Sequence, residues 1–214
     1  YELTLTIEQG IFGGITAAGK DAGAGVNFDA IIDQPYQFDF YDGGGLDIAF
    51  LSFAQVDSLG NVNVSSYGTG PMGPGGFINI SQGAKRVVFV GTLTTGGLEI
   101  APDGATGVAL KREGKTRKWI SEVEQITFNG QYALTQGQDV QYVTDRGVFR
   151  LLSEGIILFE IAPGIDLQCD LLDQIEFPLQ ISPELKEMDR RIFRDQPMGI
   201  SEEFRSRVRN SQEH

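Results

Sequence analysis

Glycine clusters at the ends of apolar, β-branched runs constrain this chain more than any other feature. Three runs read as strands, Leu3 to Ile7, Ile48 to Phe53 and Val87 to Val90. Glycines gather beside such segments at Gly10, Gly13 and Gly14, at Gly43 to Gly45, at Gly73, Gly75 and Gly76, and at Gly96 and Gly97. Glycine admits positive φ and lets backbone approach a neighbour closely, so each cluster predicts a loop of special shape and not a continuing strand. The run Val87-Val88-Phe89-Val90 lacks polar alternation, the pattern of a strand covered on both faces. Together these features predict an α/β fold, a largely parallel sheet with flanking helices.

The second half reads differently. Gln125 to Phe128, Gln138 to Val143, Val148 to Leu152 and Ile156 to Ile161 are short strand candidates separated by Gly, Asp or Asn turns, which predicts a more antiparallel or mixed layer. After Pro163 and Gly164, the spacing of Ile165, Leu167, Leu171, Leu172 and Ile175 predicts a helix. Leu185, Met188 and Ile192 predict a second one after Pro183. Residues 1–200 are expected to form one domain and the polar stretch 201–214 a flexible tail.

A formal net charge of −12 argues against nonspecific nucleic-acid binding, which needs a basic surface. No apolar run approaches the ~18 residues of a membrane span. One cysteine, Cys169, and one histidine, His214, build neither an internal disulfide nor a zinc site, so no metal or resident cofactor is expected and a reducing cytoplasm fits. Cys169 is expected to be a small buried apolar residue. The chain opens on Tyr1 and runs straight into a strand, which reads as a fragment or cleaved chain.

Two segments carry chemistry. In Ile7-Glu8-Gln9-Gly10 a carboxylate stands where an apolar strand breaks into a glycine turn. A carboxylate there can attack an acyl thioester and split one difficult transfer into easier steps, or it can be a solvated turn residue. In Gly73-Pro74-Gly75-Gly76-Phe77 the glycines can expose backbone N–H donors to an oxygen that becomes negative, or form an ordinary turn before a helix. The basic run Lys111, Arg112, Lys115, Arg117 and Lys118 reads as a solvated loop or hairpin, or as an attractor of phosphate. Trp119 beside it reads as a packing anchor.

In their order these segments resemble the β half of family I coenzyme A transferases, of the acetate, propionate or acetoacetate type. The resemblance runs from about Leu3 to Phe177. It rests on Glu8-Gln9-Gly10, Gly43-Gly44-Gly45-Leu46-Asp47, Ala54-Gln55-Val56-Asp57 with Gly60-Asn61-Val62-Asn63, Gly73-Pro74-Gly75-Gly76-Phe77, and Ile161-Ala162-Pro163-Gly164-Ile165-Asp166. It implies a CoA-transferase-like fold and a ping-pong reaction through a glutamyl-CoA thioester on Glu8, with Gly76 and Gly75 forming the oxyanion hole and Gln55, Asn63, Gly96 and Gly97 binding substrate. It also implies coenzyme A as substrate and covalent intermediate, acyl-CoA and a carboxylic acid as reactants, an N-terminal or α-type half as partner, and a homo-oligomeric complete enzyme. The lysine that some members carry after the third strand is replaced here by Gly91-Thr92-Leu93-Thr94-Thr95-Gly96-Gly97, which implies backbone or hydroxyl contacts to CoA. Ile7 stands where the acetoacetate type has serine. The alternative is a non-catalytic ligand-binding or regulatory module on a related scaffold.

Overall fold

The computed structural model describes residues 3–17, 19–68, 70–104, 107–203 and 205–206. The chain begins with a small antiparallel sheet of β1 (Thr6–Ile7), β2 (Ile11–Phe12) and β3 (Ala30–Ile31). Only Thr6 and Ile7 of the strand expected over Leu3 to Ile7 pair in a ladder. Helix α1 (Gln34–Asp42) follows, with proline in its first turn, where the missing N–H costs nothing. It stops at Gly43 and Gly44, and Gly44 has φ +81°.

The main body is a six-stranded sheet. β4 (Ile48–Ser52) enters it; α2 (Phe77–Gly83) leads into β5 (Arg86–Gly91); α3 (Gly130–Thr135) leads into β6 (Asp139–Thr144). β7 (Gly147–Leu152), β8 (Gly155–Ile161) and β9 (Gln180–Glu187) complete the order β9-β8-β7-β6-β5-β4. β4, β5 and β6 are parallel, β6 to β8 antiparallel, and β9 parallel to β8. This is the parallel sheet with a mixed second half that the sequence predicts. Val87, Val88 and Phe89 are buried together on β5, whereas β6 and β7 alternate buried and half-buried positions, as a sheet with one wetter face should.

The core is aromatic at its centre. Phe89 packs against Phe77, Phe128 and Tyr142 at centroid distances of 5.8, 5.0 and 5.5 Å, and Trp119 lies 4.4 Å from Phe149. Trp119 is fully buried, a packing anchor. The Tyr142 hydroxyl donates to the Gly60 carbonyl at 2.6 Å, which satisfies the polar tip inside the core.

Four expectations are corrected. Gln125 to Phe128 is not a strand; its single bridge joins Phe128 to Val62. The helix expected around Leu185 is the strand β9, ending before a 3-10 turn at Arg190–Phe193. Main-chain pairing with β8 holds it at the sheet edge, a position that tolerates Pro183. The helix expected from Ile165 is reduced to short turns at Leu167–Leu171 and Leu172–Gln174. Cys169 is exposed, because that turn buries Leu171 and aims Cys169 outward. Residues 201–203 are helical and Glu203 pairs with Arg191 at 2.5 Å; residues 204 and 207–214 of the expected tail lie outside the described residues. No helix among the described residues is long and apolar enough to cross a membrane.

Candidate active site

Glu8 sits at the apex of the β1–β2 turn. The Gly10 N–H closes that turn on the Ile7 carbonyl at 3.0 Å, and Gly10 has φ +106°; a Cβ there would overlap the Ile32 carbonyl oxygen, so no side chain fits. The turn therefore holds half-buried Glu8 at the end of an extended segment. Across from it runs the loop before α2. Gly75 has φ +54°, and Gly76 precedes the first helical residue. Gly76 has an ordinary φ of −80°; what it requires is space, because a Cβ there would overlap the Glu8 Oε2 atom and come within 2.7 Å of the Phe38 ring. No described residue accepts a hydrogen bond from the Gly75 or Gly76 amide.

The sheet aims this pairing. The Lys85 amide, just before β5, donates to the Leu46 carbonyl, just before β4, so the two parallel strands start side by side. α2 delivers the chain to that starting edge. Its first residues and Gly76 therefore lie toward the carboxyl ends of the strands, where open α/β sheets hold their ligands.

Gln55 and Asn63 face each other across a two-residue ladder, Gln55–Val56 against Val62–Asn63. Asn63 donates from Nδ2 to Gln55 Oε1 at 2.7 Å and to the Ser66 carbonyl at 2.6 Å; its Oδ1 accepts from the amides of Ser65 and Ser66. Gln55 donates to Glu124 Oε1 at 2.7 Å. These contacts set the entry to the loop that runs to Gly73, since the amides of Met72 and Gly73 both donate to the Ser65 carbonyl. Gly96 and Gly97, at φ +80° and +90°, turn the chain beside Thr116, Lys115 and Arg112, and no contact joins them to Glu8.

The basic run divides. Arg112 pairs with Glu99 at 2.6 Å on the hairpin Glu99–Asp103 and Gly107–Arg112, and Arg117 donates to the Asp173 carbonyl. Lys118 departs from the solvated reading. It is buried, with Nζ 3.9 Å from the centre of the Phe53 ring and beside Gly91 at the end of β5. Burial pushes its pKa down to about 8, with Asp145 opposing. Nearby, the wholly buried Arg146 side chain bonds Glu113 at 2.6 and 2.8 Å. Burial raises the Glu113 pKa, but bonds from Arg146, Thr94 and the Gly114 amide outweigh it and hold the carboxyl at about 2.

Sequence reasoning missed α1's part in the site. Phe38 stands against Gly76, and buried Gln37 donates to Thr6 Oγ1 at 2.5 Å, two residues before Glu8. Asp33 followed by Pro35 was the available signal for a helix start. Among the described residues no cluster of His, Cys, Asp or Glu is arranged to hold a metal ion.

No protein-family model matches the chain. Acetate CoA-transferase YdiF of Escherichia coli O157:H7 is 52% identical over 201 residues, 93% of this chain. Over nearly its whole length the chain is similar to a coenzyme A transferase. It spans 37% of the length of that relative. A second relative, caffeate CoA-transferase of Acetobacterium woodii, is 46% identical over 204 residues, 93% of this chain and 38% of the relative. The crystal structure of the E. coli O157:H7 YdiF acyl-CoA transferase as a thioester complex with CoA matches with a TM-score of 0.85 at 50% identity, covering 92% of this chain and 37% of that one.

Proposed function

We propose that this chain supplies the nucleophile and one wall of an acyl-CoA:carboxylate CoA-transferase site. The Glu8 carboxylate attacks the acyl-CoA carbonyl and expels CoA thiolate, leaving an acyl-glutamyl anhydride. The thiolate attacks the glutamyl carbonyl, which releases the first carboxylate and leaves a glutamyl-CoA thioester. An incoming carboxylate attacks that thioester and expels thiolate; the thiolate then takes the new acyl group and frees Glu8. Gly76, with Gly75 beside it, donates to the oxygen that becomes negative in each addition. Gln55, Asn63, Gly96 and Gly97 shape the substrate cleft.

The observation that carries this reading is the Glu8 carboxylate lying against Gly76, with the amides of Gly75 and Gly76 accepted by no described residue. The thioester complex known for the E. coli relative supports it. A regulatory module on the same fold has no need of a carboxylate held against an open amide loop. The rest of the reading follows: a second CoA-transferase half completes the cleft, residues 1–200 act as the catalytic unit, and the complete enzyme is a cytoplasmic oligomer that needs no resident cofactor.

The test is mass analysis of the complete enzyme incubated with acyl-CoA and no acceptor acid. CoA should be found bonded to Glu8 and be released by hydroxylamine. Glu8→Gln should form no adduct and lose transfer by several orders of magnitude. An adduct on Asp47, Glu99 or Cys169, or full activity in the Gln variant, overturns the reading.

A further inference from the structure

β4 is the outermost strand of the six-stranded sheet, bonded to β5 on one side and to no described residue on the other. The segment carrying Glu8 is also paired on one side only: Thr6 and Ile7 meet β2, and the Leu5 carbonyl accepts from Gly13 at 2.7 Å. Between the two open sides lies a groove of about 700 Å³, lined by residues 3–9 along one wall and 45–51 along the other, with Phe12, Phe40, Tyr41 and Ile80. Its surroundings are apolar and wet. Leu3, Leu5 and Phe50 are 70, 55 and 66% exposed. β4 reads Ile-Ala-Phe-Leu-Ser and has none of the lysines, prolines or bulges that protect a true sheet edge from pairing.

Whatever fills this groove must bury apolar side chains and also satisfy a row of backbone donors and acceptors along β4. An acyl chain or a packed helix meets the first demand and leaves the second unmet; an extended strand meets both. We propose that the groove receives one β-strand of about five residues, apolar at alternate positions at least, that pairs with β4 and lies beside residues 3–7. The strand belongs to the polypeptide that the curated relatives possess beyond the 37% of their length spanned here. This rests on the reading that a second half completes the enzyme, and it sharpens that reading: the partner contributes to this sheet as well as covering the cleft. Because Glu8 ends the segment along one wall, the inserted strand also fixes the nucleophile's approach to Gly76.

Hydrogen–deuterium exchange of the complete enzyme, without substrate, tests this at the amides of Ile48–Ser52. All of them should be protected to the degree of Val87 to Phe89 on β5, at every protein concentration, together with one apolar segment outside residues 1–214. Alternate amides of β4 exchanging at unprotected rates would overturn the proposal. So would protection that grows with concentration, which means a second copy pairs there, or protection that appears only with acyl-CoA, which means the groove is a ligand site. The Glu8 adduct is measured separately, so a β4 edge left unprotected in an enzyme that forms the adduct defeats the strand and leaves the chemistry standing.

Discussion

The Oε2 atom of Glu8 fills the space into which a side chain at Gly76 would grow. Adding one methyl at Gly76 must therefore move the carboxylate, the Phe38 ring or the loop. Misplacing a reacting group by ~1 Å costs about 100-fold in rate, whereas one methyl forced into a packed site costs roughly 1–3 kcal/mol. Gly76→Ala in the complete enzyme should lower kcat by two orders of magnitude or more while the protein still folds. Steady-state kinetics with a thermal melt check it, and unchanged kcat would show that the contact is incidental.

Arg146 is buried and depends on Glu113. Removing one partner of a fully buried pair costs about 3–5 kcal/mol, but Glu113 is 30% exposed and Asp145 stays 3.2 Å from the Arg146 Nε atom. Glu113→Gln should therefore destabilise the protein by less than that, on the order of 1–3 kcal/mol near neutral pH. The pH dependence has a definite sign. Glu113 is held at about 2, below the 4.5 of a free glutamate, so its contribution is complete above 4.5 and is lost as pH falls toward 2. Urea melts at pH 7 and pH 3 should show the gap between wild type and variant narrowing at the lower pH.

Lys118 works in the opposite direction. Its folded pKa of about 8 lies below the ordinary 10.5, so below pH 8 the charge is buried in the fold at full cost. The native state sheds the proton first as pH rises, and stability increases between about 8 and 10.5. Lys118→Met keeps the stem packed on Phe53 and removes the charge. It should stabilise the protein at pH 7 by on the order of 2 kcal/mol and flatten the alkaline rise. A loss of stability at pH 7 would mean that the cation–ring contact outweighs desolvation.

Much of this was legible in the sequence, and the parts that were not have physical reasons. Of the apolar run Val87 to Val90, which reads as covered on both faces, Val87 to Phe89 are buried and Val90 is 45% exposed. Glu8-Gln9-Gly10 marks its own turn, because Gly10 has no room for a side chain. β9 was misread because Leu185 and Met188 mimic a helical repeat, while a ladder to β8 that leaves no trace in side-chain pattern decides the matter. Gln37 reaches Thr6 across 31 residues, and only the folded chain brings them together. Lys118 looked like its neighbours in a basic run; its burial follows from Trp119, which pulls that stretch into the core.

Asn63 separates a supporting residue from one that touches substrate. Its side chain has two N–H donors and two acceptor positions. All four are filled by Gln55, the Ser66 carbonyl, and the amides of Ser65 and Ser66, and the residue is fully buried. A substrate would have to displace one of these bonds to reach it. Gln55 is half-buried and keeps one Nε2 hydrogen beyond its bond to Glu124, so it can face a ligand. Asn63→Ala leaves buried amides unpaired, at about 1–3 kcal/mol each, and loosens the loop that ends at Gly76. It should lower the melting temperature by several degrees and reduce kcat through the loop, with KM for acyl-CoA little changed. Gln55→Ala removes the acceptor of one Asn63 Nδ2 bond, so it should lower the melting temperature by less than Asn63→Ala does, and it should also raise KM. If Asn63→Ala raises KM and leaves the melt untouched, then Asn63 meets the substrate directly and the bonds to Ser65 and Ser66 are not what hold the loop.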